Sequence, residues 1–342
     1  MLDSRKEAEE KMAKAIFISA DCWLSVFELL EPFQLGLGIA MISHRFNFFV
    51  DEHFKTRKWA LRNIQIRNKI GGNGTNEMEI VKSYHGKPLP IPKMQLPRKV
   101  SGFKLIDISF IDRNVIAFLD HFRPLFAACP ISLAISTYND RILEFILHNI
   151  WPMFGKNIYA MELSAKILRQ FVPTILNDFL LLRVVYCSDG FFTKFPCDDS
   201  AAASDGQMLA KWLFTPLQND VPKVLKCWWN MNYGNWSSTI EAFKAEFANA
   251  SSPAKFIVVI WFPSSFVDSI WAFDLTNELT HEQLTLKRTD FHNCFLLIRC
   301  PIARDESKWT KWEKKRLTGN FIFNGTKLTF KFVMGMTSER EG

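Results

Sequence analysis

Residues able to do chemistry are present but scattered. Seven cysteines stand at positions 22, 129, 187, 197, 227, 294 and 300, an odd number with no C-x-x-C pair. That spacing argues against a disulfide framework and a zinc site, and it suits a reducing compartment. The seven histidines are spread along the chain. His281 opens "HEQLT", which lacks the second histidine of a zinc-hydrolase helix. His121 and His148 fall in stretches patterned as amphipathic helices, where a surface or hydrogen-bonded role is expected. The "GGNG" of residues 71–74 lacks the Lys-Ser/Thr of a phosphate loop, and no G-x-S-x-G or dinucleotide fingerprint occurs. These patterns point to no catalytic centre, no metal and no cofactor, so a non-enzyme is expected. Trp309 and Trp312 lie among Lys308, Lys311, Lys314 and Lys315. Tryptophans three apart share a helix face, and that face is expected to pack on a core rather than on nucleic acid.

The elements that would position such residues belong to an ordinary globular chain. Of 342 residues, 48% are hydrophobic and 23% charged, which excludes wholesale disorder. Phenylalanine occurs 32 times, pointing to an aromatic-rich core. The net charge of +7 favours an acidic partner without specifying nucleic acid. The densest basic stretch, "KTRKWALRNIQIRNK" (55–69), reads as a solvated helix face. The charged start lacks the long apolar core of a secretory signal. The longest apolar runs, such as "FIVVIWF" (256–262), are too short to cross a bilayer. A cytoplasmic or nuclear protein is expected.

Residues 1–15 read as a charged leader. Ser19 or Asp21 can cap a helix in which Trp23, Val26, Phe27 and Leu30 form one apolar stripe. Pro32 stops that helix or begins a turn. A second helix is expected from Leu35 onward, with Leu37, Met41, Ile42, Phe46, Phe49 and Val50 on its apolar face. Gly36 and Gly38 cost it about 1 kcal/mol each relative to alanine. Such short helices cannot bury their apolar faces against each other alone. The faces either pack on the rest of the chain or meet a partner helix in a groove. Residues 55–102 read as the helix end and a Pro/Gly linker.

From residue 103 short apolar strands alternate with amphipathic helices, about every 25 residues. The strands are "FKLIDISF" (103–110), "CPISLAIST" (129–137), "NIYAMELSA" (157–165) and "LLLRVVYCS" (180–188). "ISLAIS" and "LLLRVV" echo the L-x-x-L-x-L of leucine-rich repeats. After an expected exposed loop at 189–207 come a helix through Trp212 and a strand "VLKCWW". A helix "STIEAFKAEFANA", the strands "KFIVVIWF" and "CFLLIRC", and a closing helix "ESKWTKWEKKRL" follow. An Asn-Gly turn within 321–332 signals a hairpin in a variable tail, 318–342.

The stretch "ISADCWLSVFELLEPFQLGLGIAMISHRFNFFVDEHF" resembles an F-box. Ile18 and Ser19 occupy the Leu-Pro start, Val26, Phe27 and Leu30 the first helix, and "ISHRF" (42–46) the Val-Ser-x-Arg-aromatic end. "LGLGIAMISHRF", "AKWLFTPLQND", "FKAEFANASSPAKFIVVIW" and "LLIRCPIARDESKWTKWE" extend the resemblance to the expanded F-box protein family of plant-parasitic cyst nematodes, over roughly residues 16–317.

The resemblance implies an α+β chain. It would have N-terminal all-α F-box-like helices (16–54) followed by a degenerate leucine-rich-repeat-like α/β domain (103–317). It implies a substrate-recognition subunit of an SCF-type cullin–RING ubiquitin ligase. Ile18, Trp23, Val26, Phe27, Leu30, Pro32 and Leu35 would contact the Skp-type adaptor, and the repeat domain would hold a protein substrate. The chemistry would belong to other chains. A cullin-independent interaction scaffold and a basic RNA-binding repeat protein are the alternative readings.

Overall fold

The computed structural model describes residues 18–56, 59–68, 78–81, 88–89, 100–126, 130–135, 145–154, 157–163, 180–187, 192–200, 202–217, 220–229, 234–291 and 293–318. The expected leader, the helix at 166–179 and the tail hairpin lie outside them. The chain falls into two compact units, residues 1–62 with 89–102 and residues 63–88 with 103–342.

The first unit is helical over residues 18–56. Helix α1 (Ala20–Glu28) starts where Ser19 Oγ accepts from the Cys22 N–H. Helix α2 (Pro32–Leu37) begins with Pro32 at its first position, and the Gln34 side chain accepts from the Glu31 N–H at 3.0 Å. Proline fits there because its missing N–H would have no helical partner. The single second helix expected from Leu35 is broken. A Cβ at Gly38 would lie 2.6 Å from the Gln34 carbonyl oxygen, so only glycine fits this turn. A 3-10 turn (Ile39–Met41) follows, and Ser43 caps helix α3 (His44–His53) by accepting from the Phe46 N–H. Phe27, Leu35, Ala40, Val50 and Phe54 form the core of this unit. The Trp23 ring meets Phe46 edge-on at 4.9 Å.

The second unit is built on a sheet of mixed direction. Its strands are β1 (Trp59–Asn68), β2 (Met78–Val81), β3 (Pro88–Leu89), β4 (Val100–Ile108), β5 (Ile131–Ile135), β6 (Ile158–Leu163), β7 (Val184–Cys187), β8 (Lys223–Trp228), β9 (Phe256–Trp261), β10 (Phe273–Asn277), β11 (Glu282–Arg288) and β12 (Cys294–Pro301). The order across the sheet is β10-β11-β12-β9-β8-β7-β6-β5-β4-β1-β2-β3. Strands β4 to β9 are parallel and neighbour one another in chain order. Strands β9, β12, β11 and β10 pair antiparallel.

The longer helices of this unit among the described residues are α4 (Arg113–His121), α5 (Asp205–Phe214), α6 (Trp236–Ala248) and α7 (Glu306–Thr318). On one face, Ile257, Val259 and Trp261 of β9 join Cys294, Leu296, Ile298 and Cys300 of β12 against Trp309 of α7. On the other, Phe256 packs on Phe214 of α5 and Phe243 of α6 at 5.4 and 5.8 Å. Burial on both faces explains why β9 reads as an unbroken apolar run and β12 as one interrupted only by the ion-paired Arg299.

Three expectations change. The basic stretch 55–69 is not a helix face. From Trp59 it is strand β1, with Ile64 and Ile66 buried and Arg67 paired across to Glu79 of β2 at 2.9 Å. Alternation at Ile64 and Ile66 is the period-two signal that the basic residues obscured. Residues 55–102 are therefore not a linker throughout, since they contribute β1, β2, β3 and the start of β4. Finally, 189–207 is not simply an exposed loop. Phe192 and Thr193 are buried, and the Phe192 ring packs on Trp229 and Trp236 at 5.7 and 6.3 Å. A Cβ at Gly206 would lie 2.7 Å from the Phe192 carbonyl oxygen, so glycine lets this segment close on α5.

Candidate functional site

Helix α1 has two apolar faces with opposite roles. Trp23 and Phe27, four apart, point inward. Phe27 is 0% exposed, and its ring lies 6.0 Å from that of His53. Burying a phenylalanine side chain contributes about 2–3 kcal/mol, enough to make this stripe the clasp of the helical unit. Cys22, Val26 and Leu29, at i, i+4 and i+7, lie on the outer face and are exposed, Leu29 at 86% and Val26 at 43%. Ile18, just before the cap, is also exposed, as are Ile42 and Phe48 of the same unit. The Arg45 guanidinium ties the ends together. It donates to the Ile18 carbonyl oxygen at 3.5 Å and lies 5.3 Å from the Phe49 ring centroid. The arginine of "ISHRF" thus links the start of α3 to the entry of α1.

The expected adaptor residues separate by position. Ile18 and Val26 are open to a partner. Trp23 and Leu30 are half-buried, and Trp23 is engaged with Phe46. Phe27 and Leu35 are 0% and 1% exposed, so their side chains hold the unit together and offer no surface. These two of the seven expected adaptor residues face the unit's own core. Pro32 starts α2. Leu29 and Phe48 are exposed apolar residues outside the expected stripes, and Ile42, expected on the apolar face of the second helix, is exposed as well. Leu29 was legible in the i, i+4, i+7 spacing from Cys22, but the heavier Trp23–Phe27 stripe drew the attention.

The second unit offers two further features. At the carboxyl ends of β8 and β9, a cavity of about 430 Å³ is lined by Trp229, Gly234, Asn235, Trp236, Ser237, Phe266 and Ser269. The Trp229 indole N–H is buried and has no acceptor among the described residues. Elsewhere β11 and β12 hold an ion pair away from water. Arg299, 0% exposed, donates through Nε and Nη2 to Glu282 Oε2 at 2.9 and 2.6 Å.

Several thiols are held protonated. Burial, with help from Glu246, pushes the Cys197 thiol up to about 12. Burial pushes Cys294 up to about 11 and also raises Cys227 and Cys300. Thiols so placed are poor nucleophiles, since the thiolate is the attacking form. Among the described residues no group of three or more His, Cys, Asp or Glu side chains is placed to hold a metal ion, and no helix is long and apolar enough to cross a membrane. Trp309 is buried in the α7 core and Trp312 packs beside it, as the helix-face spacing implied. Comparison of the chain with family models, with curated proteins and with solved structures returns no match.

Proposed function

We propose that this chain is the substrate-recognition subunit of an SCF-type cullin–RING ubiquitin ligase, of the F-box kind, and is itself non-catalytic. The observation that carries the reading is the outer face of α1. Val26 and Leu29 stand open on a small helical unit whose own core is already filled by Phe27, Leu35, Ala40 and Val50. An exposed apolar helix face on a complete unit suits docking into a partner's groove better than packing at home. The Skp-type adaptor would engage Ile18, Val26 and Leu29, with Phe27 and Leu35 shaping the face from beneath.

The second unit would hold the substrate protein. The consecutive parallel order β4 to β9 supports a degenerate leucine-rich-repeat-like origin for that part. The antiparallel β10–β12 extension and the helices on both faces of β9 are additions to it. The aromatic cavity at Trp229 and Trp236 supports a recognition role, because such walls anchor protein side chains well. Ligation would then follow from proximity, with the bound substrate's lysine held near an E2 thioester carried by the RING subunit. Such a subunit would work in the cytoplasm or nucleus.

The test is co-purification with a Skp-type adaptor, wild type beside Leu29→Asp and Val26→Asp. Both substitutions lie on exposed positions and leave the core intact. Wild-type retention with loss in both variants supports the reading. Failure of the wild type to retain adaptor overturns it in favour of a cullin-independent scaffold.

A further inference from the structure

The second unit buries two cations side by side, with no carboxylate between them among the described residues. Val184 of β7 is in register with Val224 of β8, and the pairing is parallel. Arg183 and Lys223, one residue earlier on each strand, are therefore cross-strand neighbours on the same face of the sheet. The backbone fixes them there, because the Val224 N–H donates to the Arg183 carbonyl at 2.7 Å and the Arg183 N–H to the Tyr159 carbonyl at 2.8 Å. Lys223 is directly opposite Phe256 on the next strand, so the row faces α5 and α6.

Both side chains are more than nine-tenths buried, Arg183 at 7% and Lys223 at 2% exposed. The Lys223 ammonium donates to the carbonyls of Trp212 and Thr215 at the end of α5, the second at 2.7 Å, and lies 5.1 Å from the Trp212 ring centroid. Arg183 Nη1 is buried with no acceptor. Like charges directly opposite on adjacent strands destabilise a sheet, and a buried charge without a partner is expensive. The end of α5 contributes roughly half a negative charge toward two positive ones. At pH 7, where burial beside Arg183 leaves the Lys223 side chain about half protonated, roughly one positive charge remains, with a planar guanidinium fork and a further Lys223 N–H to donate. The same unit neutralises its other deeply buried arginine, Arg299, with Glu282. No carboxylate among the described residues is paired with Arg183 or Lys223.

We propose that Arg183 and Lys223 form a binding site for a small tetrahedral oxyanion of the phosphate–sulfate class, at the amino ends of β7 and β8. Phosphate near neutral pH carries between one and two negative charges, enough to offset the residual charge of the pair. Its oxygens match the guanidinium fork two at a time, which a halide cannot do. The oxyanion would turn a repulsive cross-strand pair into a three-part bridge joining β7, β8 and the end of α5. This assignment stands whether or not the helical unit binds an adaptor.

The test is thermal unfolding of the full chain at pH 7 in inorganic phosphate, in sulfate, and in chloride at equal ionic strength. In the wild type the midpoint should rise with phosphate and not with chloride, by roughly 3 °C for each tenfold increase above the dissociation constant. Arg183→Gln and Lys223→Met should each cut the rise to the small increment that phosphate gives any protein, and Lys223→Met should raise the midpoint in chloride alone. Lys244→Gln, a cation elsewhere in the unit, should keep the full response. Phosphate also stabilises proteins generally by exclusion from their surface, and that effect would persist in every variant. A rise of equal size in wild type, Arg183→Gln and Lys223→Met therefore overturns the proposal, as does an identical midpoint in phosphate and chloride. Phosphorus NMR line broadening by the wild type, lost in Lys223→Met, is the second readout should Arg183→Gln not fold.

Discussion

Glu282→Gln should damage this protein more than any exposed charge change. Arg299 and Glu282 are buried to 0% and 1% exposure. The guanidinium lies between the rings of Phe214 and Phe247, 5.2 Å from each centroid, and its Nη2 also donates to the Ser252 carbonyl at 2.9 Å. The other carboxylate oxygen of Glu282 accepts from the Ala254 N–H at 3.0 Å. Removing the negative charge leaves a cation in an apolar slot out of reach of water, which costs about 3–5 kcal/mol. Arg299→Met should cost a similar amount, because it leaves the carboxylate with one backbone donor. The double variant Glu282→Leu/Arg299→Met removes both charges and should recover about 2 kcal/mol or more relative to the sum of the single changes. Urea unfolding followed by tryptophan fluorescence reads this, since Trp212, Trp229, Trp236, Trp261 and Trp309 all belong to this unit. A loss below about 1 kcal/mol for Glu282→Gln, the worth of an exposed pair, would refute the reasoning. So would strict additivity in the double variant.

Other outcomes follow from the same geometry. Burial beside Arg183 holds the Lys223 ammonium down at about 7 in the folded chain, while in the unfolded chain it titrates at its ordinary, higher value. Between those values the unfolded state binds more protons, so stability in chloride should rise from pH 7 upward, by at most about 1.4 kcal/mol per pH unit. Below pH 7 this contribution is flat, and Lys223→Met should remove the slope in a urea series. Asn277→Ala should cost about 2–4 kcal/mol, because its amide donates to the Phe247 and Ala250 carbonyls at 2.7 and 2.9 Å and its oxygen accepts from Leu279 and Thr280. The midpoint of calorimetric unfolding measures it. Phe27→Ala should cost the helical unit about 3–5 kcal/mol and leave the sheet unit's near-ultraviolet circular dichroism unchanged.

The strands that lie in the middle of the sheet were the most readable in the sequence. Runs such as Phe256–Phe262 are buried on both sides and contain no polar interruption, so composition alone marks them. Strand β11 escaped because only alternate residues are buried, with Gln, Thr and Lys between them, and β10 because its Phe273 and Leu275 are only half-buried between Asp274 and Thr276. Strand β1 hid its Ile64 and Ile66 among arginines and asparagines and around Gln65, which is itself buried through its hydrogen bond to Asp107. The helical opening is legible as apolar and as capped at Ser19 or Asp21, of which Ser19 is the cap, but the single stripe of Trp23, Val26, Phe27 and Leu30 divides between an inner and an outer face. The stripe of largest residues, Trp23 and Phe27, holds the unit closed, and the lighter Val26 and Leu29 are the ones left outside. Periodicity shows which residues share a face, but which face turns inward depends on partners far along the chain, here Phe46 and His53. The Arg183–Lys223 pair was beyond reach from sequence, because forty residues separate the two and only strand register makes them neighbours.

The central claim is that the helical unit presents a face made for an adaptor chain. Its most direct test is size-exclusion chromatography with light scattering on the full chain mixed with a purified Skp-type adaptor. The account predicts a one-to-one complex with the summed mass, and its disappearance when Leu29 is changed to Asp. Separate elution of the two proteins, or a complex that Leu29→Asp leaves intact, would contradict it.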